Sequence, residues 1–413
     1  MKPLLISLLL LYTLCLTAQS GTVIWQHGLE SDASFWQSTA ANFAVQRRIT
    51  SVNRTVNTSN GILSTASNVV AATLSSRSSQ TIGIGHSLGG VVFREMAARS
   101  APGHVGGIIT VGSPLNGAEI ANKLINGQVE AYIVNGVNEL VKGPLRESFG
   151  IGYIIVRIGT RALTGKSLQE VLWKESGIDQ RLLEQANSPT VSDLQVNGSY
   201  MAAASQLRPT IPRISIFGSE NSPVHYRLAS TFSGKPDDYF PNALRDARGV
   251  YNTFYVKNAA LFLSAINIWK AAGWKAGRDY IDHDSETGWL SLIGATRTES
   301  VRSCIESFTC DQSWYNLNCN LGGKPRPDCE DCWETSCYTN TRTYKESSDG
   351  LLNQSTQVGK SSLTISSRWV PDASFEVLGA NHNEYNLHPN AIDRYNVIFD
   401  AVDLNPVFRR ARR

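Results

Sequence analysis

The chain has little charge of either sign to spare: 38 Lys and Arg against 35 Asp and Glu leave a net +3. A balance this even gives no field for nucleic acid. The basic end, Arg409, Arg410, Arg412 and Arg413, reads as a solvated tail. Long apolar runs are also scarce. After the stretch Leu4–Leu16 nothing approaches ~18 uninterrupted apolar residues, so no transmembrane helix is expected. Cysteine is missing from 16 to 303, which leaves that part of the chain to a hydrophobic core rather than to disulfides. With 413 residues, 42% of them hydrophobic, the core suffices for one large or two medium domains.

The N-terminus begins Met1-Lys2, continues through Leu4–Leu16 and ends in Thr17-Ala18-Gln19. A positive start, a short apolar core and a small residue at Ala18 predict a signal peptide over 1–18 and a mature protein from residue 19, secreted to an extracellular or periplasmic space. Lipid attachment at Cys15 is disfavoured by the bulky Leu14 before it. The other six cysteines, Cys304, Cys310, Cys319, Cys329, Cys332 and Cys337, share one window. In an oxidising compartment they read as up to three disulfides of open connectivity. A zinc site at Cys329-x-x-Cys332 is the rival, weakened by the lack of a second tight pair.

The most informative stretch is Thr81–Gly90, TIGIGHSLGG. A short apolar strand runs into Gly85-His86-Ser87-Leu88-Gly89, and a helical segment follows at Val91–Arg99. Strand, sharp turn and helix around G-x-S-x-G form a nucleophile elbow, which holds the serine hydroxyl clear of the backbone. The pentapeptide recurs by chance, so its flanks carry the argument. Upstream, the buried strand Thr22–Trp25 opens into His27-Gly28-Leu29, and downstream Gly107–Val111 ends in Gly112-Ser113-Pro114. Helix spacing around Ala66, Val69, Val70 and Leu74 precedes the elbow strand, completing the βαβ pattern of a parallel sheet.

Together His27-Gly28-Leu29, Gly85–Gly90 and Val111–Pro114 resemble the lipase-type α/β-hydrolases, above all the secreted bacterial triacylglycerol lipases and esterases. The resemblance covers about 20–118, 192–222 and 340–402. It implies an α/β-hydrolase fold over 19–413, a mostly parallel sheet flanked by helices, interrupted at 118–208 by a helical, lid-like insertion and at 224–340 by a second one holding the cysteine-rich part 304–337. It further implies an oxyanion hole from the backbone N–H groups of Leu29 and Leu88, with His27 propping that loop.

A serine needs an imidazole within reach and a carboxylate to orient it, in the chain order Ser, Asp or Glu, His. His382 follows the last strand, Phe375–Leu378, in a loop similar to the histidine loop of these lipases. His388 stands before Pro389 at the start of a closing helix and reads as structural. For the acid, Asp372 falls at the wrong end of the last strand. Asp349, on the Asp349-Gly350 turn, is preferred because it follows Thr341–Tyr344, read as the penultimate strand. Glu220, which ends the strand Arg213–Phe217, is the alternative if Asp349 is only a turn residue. The reading is thus a secreted serine hydrolase with Ser87, Asp349 and His382, acting on carboxylic esters, those of lipids first, at a lipid–water interface. No cofactor or metal is expected, since no ligand set matches the structural calcium of some such lipases. An acyltransferase, thioesterase or peptidase on the same residues, and a non-catalytic module displaying the cysteine-rich insert, remain the alternatives.

Overall fold

The computed structural model describes residues 21–149, 183–204, 207–220, 239–260, 265–308, 333–359 and 369–410. The expected signal segment 1–18, part of each insertion, and Cys310, Cys319, Cys329 and Cys332 lie outside them. Six strands form one parallel sheet: β1 (Thr22–Gln26), β2 (Thr50–Asn53), β3 (Ile82–His86), β4 (Gly107–Val111), β5 (Arg213–Ser219) and the last strand, Ala373–Leu378. From one edge to the other the order is β2, β1, β3, β4, β5 and Ala373–Leu378. The chain thus steps outward from β1 to β2, then returns across β1 to β3. Such a reversal opens a crevice at the carboxyl ends of β1 and β3, where ligands bind in open α/β sheets.

Alternation along the strands fills both faces. Val23, Trp25, Ile82 and Ile84 point to one side, where Trp36, Phe43, Tyr395 and Phe399 close the core. Ile24 and Ile108 point to the other, against Ile62, Val69, Val92 and Phe93. On that second face β3 carries glycine: a Cβ at Gly83 would stand 2.6 Å from the Phe93 ring, and one at Gly85 2.3 Å from the backbone of Gly89. Isoleucine on one side and glycine on the other let the helix Leu88–Glu95 lie directly on its own strand.

The helices Glu119–Ile125, Gln128–Phe149, Pro189–Asp193 and Ser199–Ala204 lie in the first insertion, and Tyr239–Ala260, Ala265–Asp279 and Ser285–Leu292 in the second. Among the described residues no helix is long and apolar enough to cross a membrane. Residues Thr296–Glu346 form a separate unit. In it β6 (Thr296–Phe308) and β7 (Trp333–Lys345) pair antiparallel over their whole length, with Cys304 opposite Cys337 and the two joined by a disulfide. This corrects the sequence argument for Asp349. The strand before it belongs to this ribbon rather than to the main sheet, and the penultimate sheet position is held by β5. The Asp349 turn reaches that position by another route, since the Glu220 amide at the end of β5 donates to the Ser348 carbonyl at 2.8 Å. Both candidate acids therefore sit at the end of one strand, although 129 residues separate them.

Candidate active site

Ser87 caps the helix Leu88–Glu95 with φ 53° and ψ −123°, a left-handed backbone that a non-glycine residue adopts only when its surroundings enforce it. The enforcement is visible in the Ser87 amide, which donates to the Val111 carbonyl at 2.9 Å, and in the close fit of Gly85 on Gly89. The turn aims the hydroxyl at His382, whose Nε2 lies 2.9 Å from Ser87 Oγ. On the other side of the ring Nδ1 lies 2.8 Å from Asp349 Oδ2. A carboxylate can only accept, so Nδ1 carries the proton, Nε2 presents a lone pair, and the Ser87 hydroxyl donates to it.

Asp349 is fully buried and uses both oxygens. Oδ1 takes the amides of Leu351 at 3.1 Å and Leu352 at 2.9 Å, the local bonding of an Asp-Gly turn, with Gly350 at φ 87°. Oδ2 is left for His382. The turn amides and the His382 imidazole are thus met by separate oxygens of one side chain. The two loops are also joined through the backbone, because the His382 amide donates to the Asp349 carbonyl at 2.8 Å. Glu220 meets the same loop through its amide, and the carboxylate that faces His382 Nδ1 is that of Asp349. Asp372 lies at the far end of the sheet, where its Oδ2 takes the Arg213 amide at 2.9 Å.

The loop after β1 closes on the elbow from the side. A Cβ on Gly28 would stand 2.9 Å from Ser87 Cβ and 3.4 Å from Ser87 Oγ, so the backbone leading to Leu29 passes against the Ser87 side chain. His27 fixes that backbone. Its Nε2 accepts the Val56 amide at 3.2 Å, which places the proton on Nδ1, and Nδ1–H donates to the Gly28 carbonyl at 3.0 Å. Burial pushes the His27 imidazole below its ordinary pKa and favours this neutral form. Leu88, the other expected oxyanion donor, is the first residue of the helix that Ser87 caps, where amides have no partner within the helix.

Several side chains at the site carried no sequence signal. His86 Nε2–H donates to the His382 carbonyl at 2.6 Å, tying the elbow directly to the histidine loop, and its ring stacks on Phe35 at 4.3 Å. Burial, then the neighbouring His382, hold His86 well below the ordinary histidine pKa, so it is a neutral strut. Tyr385 and Gln357 close around Asp349. From the second insertion, Trp289 Nε1 donates to the Gly350 carbonyl at 2.6 Å, and Tyr132 of the helix Gln128–Phe149 donates to the Ser285 carbonyl at 2.5 Å. Long-range partners such as these have no spacing rule by which a sequence could announce them. His388 caps the helix Pro389–Asp400, its carbonyl accepting the Ala391 amide at 2.9 Å. Among the described residues no group of three or more His, Cys, Asp or Glu is arranged to hold a metal ion.

No family model matches this sequence, and no curated protein does. Solved structures show distant similarity to bacterial α/β-hydrolases, lipases and esterases. A Bacillus licheniformis lipase in its mature form is 13% identical, with TM-score 0.31, over 53% of this chain and 76% of that one. An extracellular α/β-hydrolase from a Paenibacillus species is 16% identical, with TM-score 0.27, over 47% and 76%. An N-acyl homoserine lactone degrading enzyme is 14% identical, with TM-score 0.28, over 48% and 75%.

Proposed function

We propose that the chain is a secreted serine hydrolase of carboxylic esters, lipid esters foremost, in which Ser87 is the nucleophile, His382 the base and Asp349 the orienting acid. The observation that carries this reading is the continuous chain from Ser87 Oγ through His382 Nε2 and Nδ1 to Asp349 Oδ2, at 2.9 and 2.8 Å, on a serine held at positive φ. Ser87 Oγ attacks the ester carbonyl carbon while its proton passes to His382 Nε2. The carbonyl oxygen becomes an oxyanion, held by the amides of Leu29 and Leu88. Collapse breaks the ester C–O bond, and the departing alcohol takes the proton from Nε2. Water then attacks the acyl-serine, gives its proton to Nε2, and Ser87 regains it as the carboxylic acid leaves. Asp349 stays ionised throughout and steadies the imidazolium. The Cys304–Cys337 disulfide agrees with an oxidising compartment.

The test is hydrolysis of p-nitrophenyl esters of graded chain length by wild type and Ser87→Ala. Wild type is expected to turn them over, faster with longer chains at an oil–water interface, and Ser87→Ala to fall by on the order of 10⁶ in kcat. Turnover that survives Ser87→Ala overturns the reading.

A further inference from the structure

Tyr385 lies three residues past His382, on the turn that leads into the helix Pro389–Asp400, and is fully buried. Its hydroxyl stands 3.1 Å from Asp349 Oδ2 and 2.9 Å from Gln357 Oε1. A phenol has one proton to give, so the two acceptors compete. Gln357 is already engaged on both ends: its Nε2 donates to the Leu352 carbonyl at 2.9 Å, which fixes the amide, and its Oε1 takes the Gly218 amide at 3.0 Å. A carboxylate is the stronger acceptor, so the Tyr385 proton goes to Asp349. Burial first, and then the Asp349 charge, push the Tyr385 hydroxyl well above the ordinary tyrosine pKa, so it stays a donor over the whole working range.

The protein makes room for this contact at two glycines. A Cβ on Gly112, at the end of β4, would stand 2.5 Å from Tyr385 Cε2 and 3.0 Å from Asp349 Oδ2. A Cβ on Gly218, in β5, would stand 2.5 Å from the Tyr385 hydroxyl and 3.0 Å from Asp349 Cβ. From behind, Tyr395 donates to the Tyr385 carbonyl at 3.2 Å. The oxygen that Tyr385 meets is the one that holds His382 Nδ1–H, and not the one spent on the turn.

We propose that Tyr385 is a positioning residue that tunes His382 through Asp349, by sharing Oδ2 with the imidazole Nδ1–H. The proposal rests on the Ser87–His382–Asp349 reading above. The phenol withdraws negative charge from Oδ2, so the carboxylate holds the imidazolium less tightly. It also leaves Oδ2 one orientation in which both donors are met. Among the described residues, the titratable groups facing this pair are His86 from β3, at 4.8 Å from His382 between ring centroids, with His27 beyond it in the loop after β1; Glu220 at the end of β5; Glu384 in the histidine loop, whose Oε2 takes the Asn381 amide at 3.0 Å; and Tyr395 behind Tyr385. Both His27 and His86 are held toward the neutral form, so neither adds a competing positive charge near neutral pH.

The experiment follows the His382 imidazole by NMR in full-length wild type, Tyr385→Phe and a chain carrying 3-fluorotyrosine at 385, with the signal assigned by its loss in His382→Ala. The pH profile of kcat/KM and the thermal midpoint are recorded alongside. In Tyr385→Phe the His382 titration and the acid limb of the profile are expected to move together to higher pH by about one unit, with kcat down about tenfold. Fluorotyrosine, a stronger donor of the same shape, is expected to move both the other way, and it decides the matter if Tyr385→Phe fails to fold. A lowered thermal midpoint with an unmoved His382 titration makes Tyr385 packing alone and overturns the proposal. The NMR titration needs no substrate. A protein without Ser87-dependent turnover therefore defeats the hydrolase reading separately from this one.

Discussion

Replacing Gly28 by alanine tests the proposed oxyanion loop more sharply than Ser87→Ala does. The backbone at Gly28 is outside the left-handed region, so alanine is conformationally allowed there. Its methyl would fall 2.9 Å from Ser87 Cβ and 3.2 Å from His86 Nδ1. Carbon atoms rest at about 3.5–4.0 Å, so the loop must retreat from the elbow by roughly 0.5–1 Å. Overpacking of this size costs about 1–3 kcal/mol of stability, which a domain with about 5–15 kcal/mol in hand survives. The same retreat carries the Leu29 amide away from the developing oxyanion, and a lost donor costs about 100- to 1,000-fold in rate, roughly 2.7–4 kcal/mol. The expected result is a folded protein with a modestly lower urea midpoint and kcat/KM on p-nitrophenyl esters reduced at least about 100-fold. Normal circular dichroism together with kcat/KM within about threefold of wild type would refute the placement, because no donor on that loop could then be stabilising the transition state.

The two candidate acids separate by substitution. Asp349→Asn is expected to lose about 10⁴-fold in kcat, by presenting an amide to His382 Nδ1 and favouring the wrong tautomer, while Glu220→Gln stays within about tenfold; the reverse ranking in the same ester assay restores Glu220. Acid should weaken the fold before it touches most carboxylates. The folded-state pKa values of His27, His86 and His104 are all lowered, chiefly by burial, so below about pH 6.5 the unfolded chain binds protons that the native one refuses. Stability is then complete above that pH and falls below it, at a slope approaching about 1.4 kcal/mol per pH unit for fully buried His86. Urea midpoints at pH 7.5 and 5.5 measure the loss, and equal midpoints would show that these imidazoles charge without unfolding.

Which parts of this were legible in the sequence follows from the range of each interaction. The elbow is local: Ile82 and Ile84 face one core while Gly83 and Gly85 yield to Phe93 and Gly89, and that alternation is written in four consecutive letters. The position of His382 just past a strand end is local in the same way. The Asp349 turn owes its place to contacts far along the chain. The strand before it is half of a disulfide-joined ribbon, and the Glu220–Ser348 backbone hydrogen bond, with Gln357 Oε1 on the Gly218 amide, holds its turn at the end of β5.

Strand periodicity and glycine placement thus belong to the sequence itself, because each depends on neighbours a few residues apart. The tertiary structure decided what depends on convergence. It gave one oxygen of Asp349 to the turn and the other to His382, set Tyr385 beside that second oxygen in the space left by Gly112 and Gly218, and tied the elbow to the histidine loop through His86. These partners lie up to 296 residues apart, and their pairing follows from how the strand ends meet at one edge of the sheet.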